Sequence, residues 1–378
     1  MHTVTFGQRL AGILPIFESD RRIQVVFTAV PDQFGNGVTG LLRRLDGVVI
    51  PWEQAVSTPF DLVLAAGYTR LHELCAPVVV MPHGAGWNKL AMPAAGVGGV
   101  TETRGVYGLE ARNLMRGHAV VPATVVLSHR DDLAVLGRQC PEALPVAEVV
   151  GDPCYDQLTA GRPTREAYRH ALGVGGETRL VVVASTWGVP SLFGQLTELH
   201  DGLINELPRE SYRVVALCHP NIWFGHGPRQ IRAWLGSAMR HGLALVPPSA
   251  EWLGALIAAD VVVGDAGSST VYASAAGAPV IMGTFPGQDI APGSVAALLA
   301  ESAPRLRPDR PFAPQLDKAM AGHRPELSAA VAARVTSEPG RFNRNMRRII
   351  YRTLGLSQPA AIPAVTPPGM PTIIERGD

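Results

Sequence analysis

Charge is scarce in this chain. Only 17% of its 378 residues are charged, and the formal net charge is +1. Proteins that hold nucleic acid by bulk electrostatics carry a strongly basic domain or stripe, so this near-neutral balance argues against a nucleic-acid partner. It leaves room for a local anion site. Long apolar runs are also missing. Hydrophobic residues make up 47% of the chain, yet no run reaches the roughly 18 residues of a membrane-spanning helix. Cysteines are few, at four, and they are scattered (Cys75, Cys140, Cys154, Cys218) with no CxxC pair. That spacing speaks against a disulfide framework or a zinc site and fits a reducing compartment. The start lacks the basic residues, apolar core and small-residue cleavage site of a secretory signal. The expected location is cytoplasmic, with at most peripheral contact at the inner membrane face. Two nucleotide signatures are absent too: GxxxxGK[ST], and GxGxxG after the first strand. The second absence weakens a dinucleotide oxidoreductase reading.

What the chain does have is a series of short, valine-rich runs. "IQVVFTAV" (23–30), "GVVIPW" (47–52), "DLVLAAG" (61–67), "PVVVMPHG" (77–84), "TVVLSH" (124–129) and "AEVVGDP" (147–153) read as strands. So do "RLVVVAST" (179–186), "YRVVALCHP" (212–220), "LALVPP" (243–248), "DVVVGD" (260–265) and "APVIMG" (278–283). Amphipathic stretches at 36–46, 192–206, 228–240 and 250–259 lie between them. "RLAGILPIF" (9–17) reads as a buried first helix rather than a membrane-surface one. Strands and helices alternating at this spacing predict βαβ units with parallel sheets.

Eleven strands exceed one comfortable doubly wound sheet. The expectation is therefore α/β, with two doubly wound Rossmann-like domains facing a cleft. The first spans 1–150 and the second 151–355, the latter closed by the basic helix "GRFNRNMRRIIYRTLG" (340–355). The proline-rich tail 356–378 is expected to be extended or disordered. In such sheets ligands bind beyond the carboxyl ends of the strands, so the residues that follow each strand matter most.

After "PVVVM" comes "PHGAGWNKL" (82–90). His83 there is a candidate general base or hydrogen-bond donor to phosphate. Gly84 lets the backbone approach a ligand closely, and Lys89 adds a positive charge. The plainer reading is a turn histidine. After "VVVAS" come Thr186, which offers a hydroxyl, and Trp187, which either stacks on a base or caps the sheet; taken alone, Trp187 reads as core. After "YRVVALC" comes His219, a second histidine at a strand end. After "DVVVG" comes "DAGSST": Asp265, Gly267, Ser268, Ser269 and Thr270 at the start of a small-residue helix. The first N–H groups of a helix form an anion site, and these residues are candidate pyrophosphate ligands. The bland alternative is an ordinary N-cap made by Ser or Asp.

In this order the motifs resemble those of the CDP-glycerol glycerophosphotransferase family, which has a GT-B-like fold and builds teichoic-acid polymers of the cell envelope. The matching positions are His83-Gly84 with Lys89, Gly151-Asp152-Pro153-Cys154-Tyr155-Asp156, Ser185-Thr186-Trp187, His219-Pro220 and Gly264-Asp265-Ala266-Gly267-Ser268-Ser269. The resemblance covers roughly residues 77–285. It departs at Ala266-Gly267, where the family has a single tyrosine, and at Tyr272-Ala273, where it has Phe-Asp. UDP-N-acetylglucosamine 2-epimerases and GT-B glycosyltransferases share similar motifs.

The resemblance implies a nucleotide-diphosphate-linked donor. No metal or other cofactor is expected, because the helix terminus and the histidines can hold the pyrophosphate and no tight carboxylate cluster suggests a metal. The resemblance also implies His83 as the base that activates an acceptor hydroxyl. His219, Ser268 and Ser269 would be pyrophosphate ligands, with Thr186 alongside. The expected activity is transfer of a glycerophosphate or glycosyl group to a hydroxyl. One alternative is an epimerase of UDP-N-acetylhexosamine, with Asp156 and Asp289 as candidate acid and base. Another is a non-catalytic nucleotide-binding protein.

Overall fold

The computed structural model of the chain describes residues 1–31, 36–92 and 104–375. It divides into two compact units. The first comprises Met1–Pro153, Asp289–Ser294 and Val335–Val365, and the second Cys154–Gln288, Val295–Arg334 and Thr366–Asp378.

In the first unit, β1 (Val26–Phe27) and β2 (Val48–Val49) form a short parallel pair. β3 (Val63–Ala65) and β4 (Val78–Val80) belong to a separate parallel sheet. A small antiparallel pair, β5 (Met115–Arg116) with β6 (Ala119–Val120), follows. β7 (Thr124–Leu127) and β8 (Ala147–Val149) complete the sheet in the order β3-β4-β7-β8. The hairpin β5–β6 has no counterpart among the expected strands, because Arg116, Gly117 and His118 interrupt any apolar run there.

The second unit has one parallel sheet. Its strands are β9 (Arg179–Ser185), β10 (Tyr212–Cys218), β11 (Ala244–Leu245), β12 (Val261–Gly264) and β13 (Val280–Met282). Their order is β11-β10-β9-β12-β13. Leu180 to Ala184 are all fully buried, as a strand covered by helices on both faces must be. This is why the runs are continuously apolar rather than alternating. Parallel strands with helical crossovers make each unit Rossmann-like, and the fold is GT-B-like.

The stretch 9–17 is not one helix: an α-helix at Val4–Ala11 covers only its first three residues, and a 3-10 turn at Leu14–Ile16 follows, although Leu10, Ile13, Ile16 and Phe17 are buried as expected. The stretch 192–206 is not one helix. It breaks into Leu192–Gln195 and Leu199–Glu206. The Leu192 and Phe193 N–H groups donate to the Asp265 and Ser185 side chains, which anchors the start of the first piece at the strand ends.

One expectation at the C-terminus needs correction. The helix Phe342–Thr353 belongs to the first unit, not the second. Phe342, Met346, Ile349 and Ile350 pack in one core with Leu10, Ile13 and Ile16, and Arg347 donates to the Ile16 carbonyl at 2.6 Å. Its apolar stripe meets that core. Of the two forms expected for the tail, the described residues 356–375 take the extended one. The Tyr168 hydroxyl donates to the Pro368 carbonyl at 2.6 Å, and Ile374 pairs with Leu245 at the sheet edge. Proline lowers the entropy lost on docking such a segment. Among the described residues no helix is long and apolar enough to cross a membrane.

Candidate functional site at the strand ends of the second unit

The chain runs from β9 outward to β10 and β11, then returns to the other side of β9 for β12 and β13. The strand order therefore reverses between β9 and β12, and that switch point is where open α/β sheets bind ligands. Register sets the three relevant strand ends level. Ser185 pairs with Cys218 on one side, and Ala184 with Gly264 on the other. The next residues along each strand are Thr186, His219 and Asp265. Motifs up to about 80 residues apart in sequence thus meet at one sheet edge.

Asp265 is the brace of this edge. Its buried carboxylate accepts from the Thr186 N–H at 2.9 and 3.1 Å, from the Leu192 N–H at 3.0 Å and from the Gly267 N–H at 3.0 Å. The Ser185 hydroxyl lies 3.2 Å from it and also accepts from the Phe193 N–H at 2.9 Å. Charge-assisted bonds of this kind are about twice as strong as neutral ones. Burial, then the Asp265 charge, pushes the thiol of Cys218 up to about 12, so the group behind the brace stays neutral. With both oxygens engaged by protein donors, Asp265 organises the loop rather than meeting an anion. An anionic carboxylate would also repel phosphate. Ser185 and the Leu192 N–H are parts of this brace that sequence reading missed. A serine directly before Thr-Trp was the available signal.

The helix Ser268–Ala276 starts at Gly267, and no side chain caps it. The bland N-cap reading is thereby set aside: the Asp265 side chain turns back to the Gly267 N–H, one residue before the helix. The first backbone bond of the turn is Val271 N–H to the Gly267 carbonyl at 3.3 Å. The N–H groups of Ser268, Ser269 and Thr270 precede it and carry the positive end of the dipole. Ser268 and Ser269 are half-buried, with hydroxyls at this terminus.

Thr270 differs from its neighbours. It is fully buried, and its hydroxyl has no hydrogen-bond partner. A Cβ added at Gly264 would lie 2.3 Å from that hydroxyl oxygen. The side chain of Thr270 is therefore packing under the strand end, not an anion ligand. Gly264 is glycine because of this close approach.

His219 caps the helix Pro220–His226, its Nδ1 accepting from the Asn221 N–H at 3.0 Å. This bond leaves the proton of the neutral ring on Nε2, so His219 presents a donor there. Trp187 is 37% exposed, which corrects its reading as core. Its ring centroid lies 6.4 Å from that of His219. Val189, on the same loop, is 81% exposed. The loop thus offers an apolar surface beside a donor set, which suits a nucleoside next to its phosphates.

In the first unit, His83 follows β4 with its ring centroid 4.3 Å from that of Phe6. Burial first, then the charges of Lys89 and Arg9, push its pKa down to about 3. Arg9 is itself buried. It donates to the Pro82 carbonyl at 3.1 Å and pairs with Asp152 at 2.9 Å. The Asp152 motif therefore fixes the segment that carries His83. Gly84 begins a compact turn in which its carbonyl accepts from the Gly86 N–H at 2.9 Å. Gly86 needs glycine, at φ +68°. Lys89 is exposed and bridges to Ile290 through the backbone. Of the carboxylates considered for an epimerase, Asp289 pairs with Arg104 at 2.7 Å, and Asp156 is buried.

No protein-family model and no curated protein matches this sequence. Solved structures match by fold. One is the wall teichoic acid polymerase TagF soaked with CDPG, at TM-score 0.61 and 13% identity, covering 93% of this chain and 86% of that one. Another TagF structure gives TM-score 0.59 and 13% identity, covering 92% and 85%. A protein assigned as a UDP-N-acetylglucosamine 2-epimerase, from Listeria monocytogenes, gives TM-score 0.51 and 14% identity, covering 95% and 96%.

Proposed function

We propose that the chain is a transferase that moves a glycerophosphate or glycosyl group from a nucleotide-diphosphate-linked donor to an acceptor hydroxyl. One observation carries the reading. At the switch point of the second unit, an uncapped helix terminus bearing Ser268 and Ser269 shares a sheet edge with Thr186 and His219, and Asp265 holds the N–H groups of Thr186 and Gly267 there. The fold of TagF, a structure soaked with CDPG, supports the same reading.

The chemistry follows from the donor set. As the nucleotide leaves, negative charge grows on its terminal phosphate. Helix N–H groups, the serine hydroxyls and the Nε2–H of His219 are preorganised donors for that charge. With a glycerophosphate donor the acceptor oxygen attacks phosphorus. With a nucleotide sugar it attacks the anomeric carbon. In both cases a bond to the diphosphate oxygen breaks, and the acceptor proton passes to a base. His83 is assigned that proton. Held neutral, it is unprotonated and ready to accept, although a pKa so far below neutrality makes it a weak base until negative charge arrives. No metal is required in this reading, since these hydrogen-bond donors stabilise the charge on the leaving phosphate.

The test is a thermal-shift panel of CDP-, UDP-, GDP- and ADP-linked compounds, followed by turnover with a hydroxyl acceptor. Stabilisation by one class with release of the nucleotide supports the proposal. No stabilisation at millimolar concentration removes it. Release of free nucleotide and epimerised sugar without an acceptor selects the epimerase reading, which the Listeria protein's fold keeps in view. Tight binding without turnover, unchanged in His83→Ala, selects a binding protein.

A further inference from the structure

A groove of the second unit lies away from the strand-end cluster. Its lining includes Ser274, Ala278 and Pro279, and it runs beside the edge strand β13 rather than past the carboxyl ends of β9, β10 and β12. Its volume is about 610 Å³, and it is bounded by the helix Val295–Ser302, the segment that follows it, and the helices Phe312–Ala321 and Pro325–Val335.

The composition of its walls is unlike that of the chain. Arg305, Arg307, Arg310, Lys318 and Arg324 line it, with His323, and no lining residue is acidic. The whole protein carries 33 basic against 32 acidic residues, so this charge is local. Among the described residues, Arg307 pairs with the exposed Asp309 at 3.3 Å, and Arg310 also feels that carboxylate; an exposed pair of this kind contributes little and leaves the arginines available to another anion. The side chains of Arg310, Lys318 and Arg324 make no ion pair among the described residues. Between the charges lie Pro279, Val280, Leu299, Pro304 and Leu327.

The cationic rim is also held in place. The Gln315 side-chain amide donates to the carbonyls of Arg307 at 2.9 Å, Arg310 at 3.1 Å and Pro311 at 2.9 Å, and its oxygen accepts from the Arg307 N–H at 2.8 Å. Arg305 stacks over the Phe285 ring at 4.9 Å and donates to the Ala300 carbonyl at 3.3 Å. One glutamine thus shapes the loop that presents two arginines. A rim built this way lowers the entropy lost when an anion is held.

We propose that this groove is a second ligand site, and that its ligand is an organic phosphate: the phosphate sits among the arginines and Lys318, and an apolar body lies along the valine, leucine and proline wall. The volume falls within the range of small-molecule sites. Several arginines around one anion match the planar, multidentate recognition of phosphate. A concave, small-molecule-sized shape favours a soluble ligand over a flat membrane surface.

The test uses the full chain and octyl phosphate below its micelle concentration, by calorimetry, with inorganic phosphate and anionic phosphatidylglycerol vesicles as separate arms. Octyl phosphate is expected to bind, more tightly than inorganic phosphate and more weakly as salt rises. R310E/K318E/R324E is expected to weaken it at least tenfold. These side chains are on the surface, so an unchanged melting temperature will show that the variant is folded. S268A/S269A is expected to leave octyl phosphate binding unchanged, which separates this site from the proposed donor site. Equal affinity in the charge-reversed variant, or loss only in the serine variant, overturns the proposal. Equal binding of inorganic phosphate overturns the apolar part of it. Binding to vesicles with none to octyl phosphate overturns it in favour of a membrane contact.

Discussion

The carboxylate of Asp265 holds the backbone of Thr186: both oxygens accept from the same N–H, at 2.9 and 3.1 Å, across two adjacent strand ends. Asp265 also takes the N–H groups of Leu192 and Gly267. Removing it leaves three buried donors without an acceptor. Asp265→Ala is expected to cost about 3 kcal/mol of stability and to weaken donor binding at least tenfold. Urea unfolding and calorimetry check the two effects separately. A variant with normal stability and normal affinity would remove the brace from the account.

Thr270 and Gly264 give the opposite pair of outcomes. Thr270→Val removes a buried hydroxyl that has no partner, so it is expected to be neutral or stabilising by up to about 1 kcal/mol, with donor affinity unchanged. Gly264→Ala places a Cβ 2.3 Å from that same hydroxyl oxygen and is expected to cost about 1–3 kcal/mol through overpacking. Loss of donor affinity in Thr270→Val would return its side chain to the ligand set.

In the first unit, Arg9 and Asp152 form a buried ion pair at 2.9 Å that also supports the Pro82 carbonyl before His83. Asp152→Ala strands a buried guanidinium and is expected to cost about 3–5 kcal/mol, read from the urea midpoint. Replacement without measurable cost would show that the pair adds nothing.

His83 and His200 govern the acid side of stability. Burial is the leading cause in both, and the folded pKa values fall to about 3 for His83 and about 4 for His200, from an ordinary 6.5. Below pH 6.5 the unfolded chain therefore binds protons that the folded chain does not. The stabilisation from keeping these rings neutral is complete above that pH and is lost as pH falls toward 4 and 3, by up to about 1.4 kcal/mol per pH unit for each ring. Urea unfolding between pH 7.5 and 5 is expected to show this decline, with a shallower slope in His200→Leu. Turnover against pH is expected to show no inflection near 6.5 in kcat/KM from His83 in the free protein. A clear inflection there that disappears in His83→Gln would contradict its depressed pKa.

Legibility followed the physics of each element. The apolar runs of β4, β7, β9, β10, β12 and β13 were readable because strands buried on both faces cannot hide their valines, whereas Val48 and Val49 of β2 are exposed and were readable only as a β-branched run. The switch-point cluster was readable as residues after strands, but the register that levels Thr186, His219 and Asp265 is set by long-range pairing that no local pattern encodes. The direction of a side chain was less accessible still. Asp265, Ser268 and Thr270 sit in one hexapeptide, yet one turns back to brace the loop, one sits at the open helix terminus and one packs under the strand. The helix Phe342–Thr353 was misassigned to the second domain because its apolar stripe shows that it packs, not against what.

The central claim is that the start of the helix Ser268–Ala276 holds the diphosphate of a donor. The most direct measurement is calorimetric titration of the wild-type chain and of S268A/S269A with whichever nucleotide-diphosphate-linked compound stabilises the protein. The account predicts saturable binding to the wild type and at least a tenfold loss in the double variant, with the melting temperature of the unliganded protein unchanged. Undiminished binding in the double variant would contradict it.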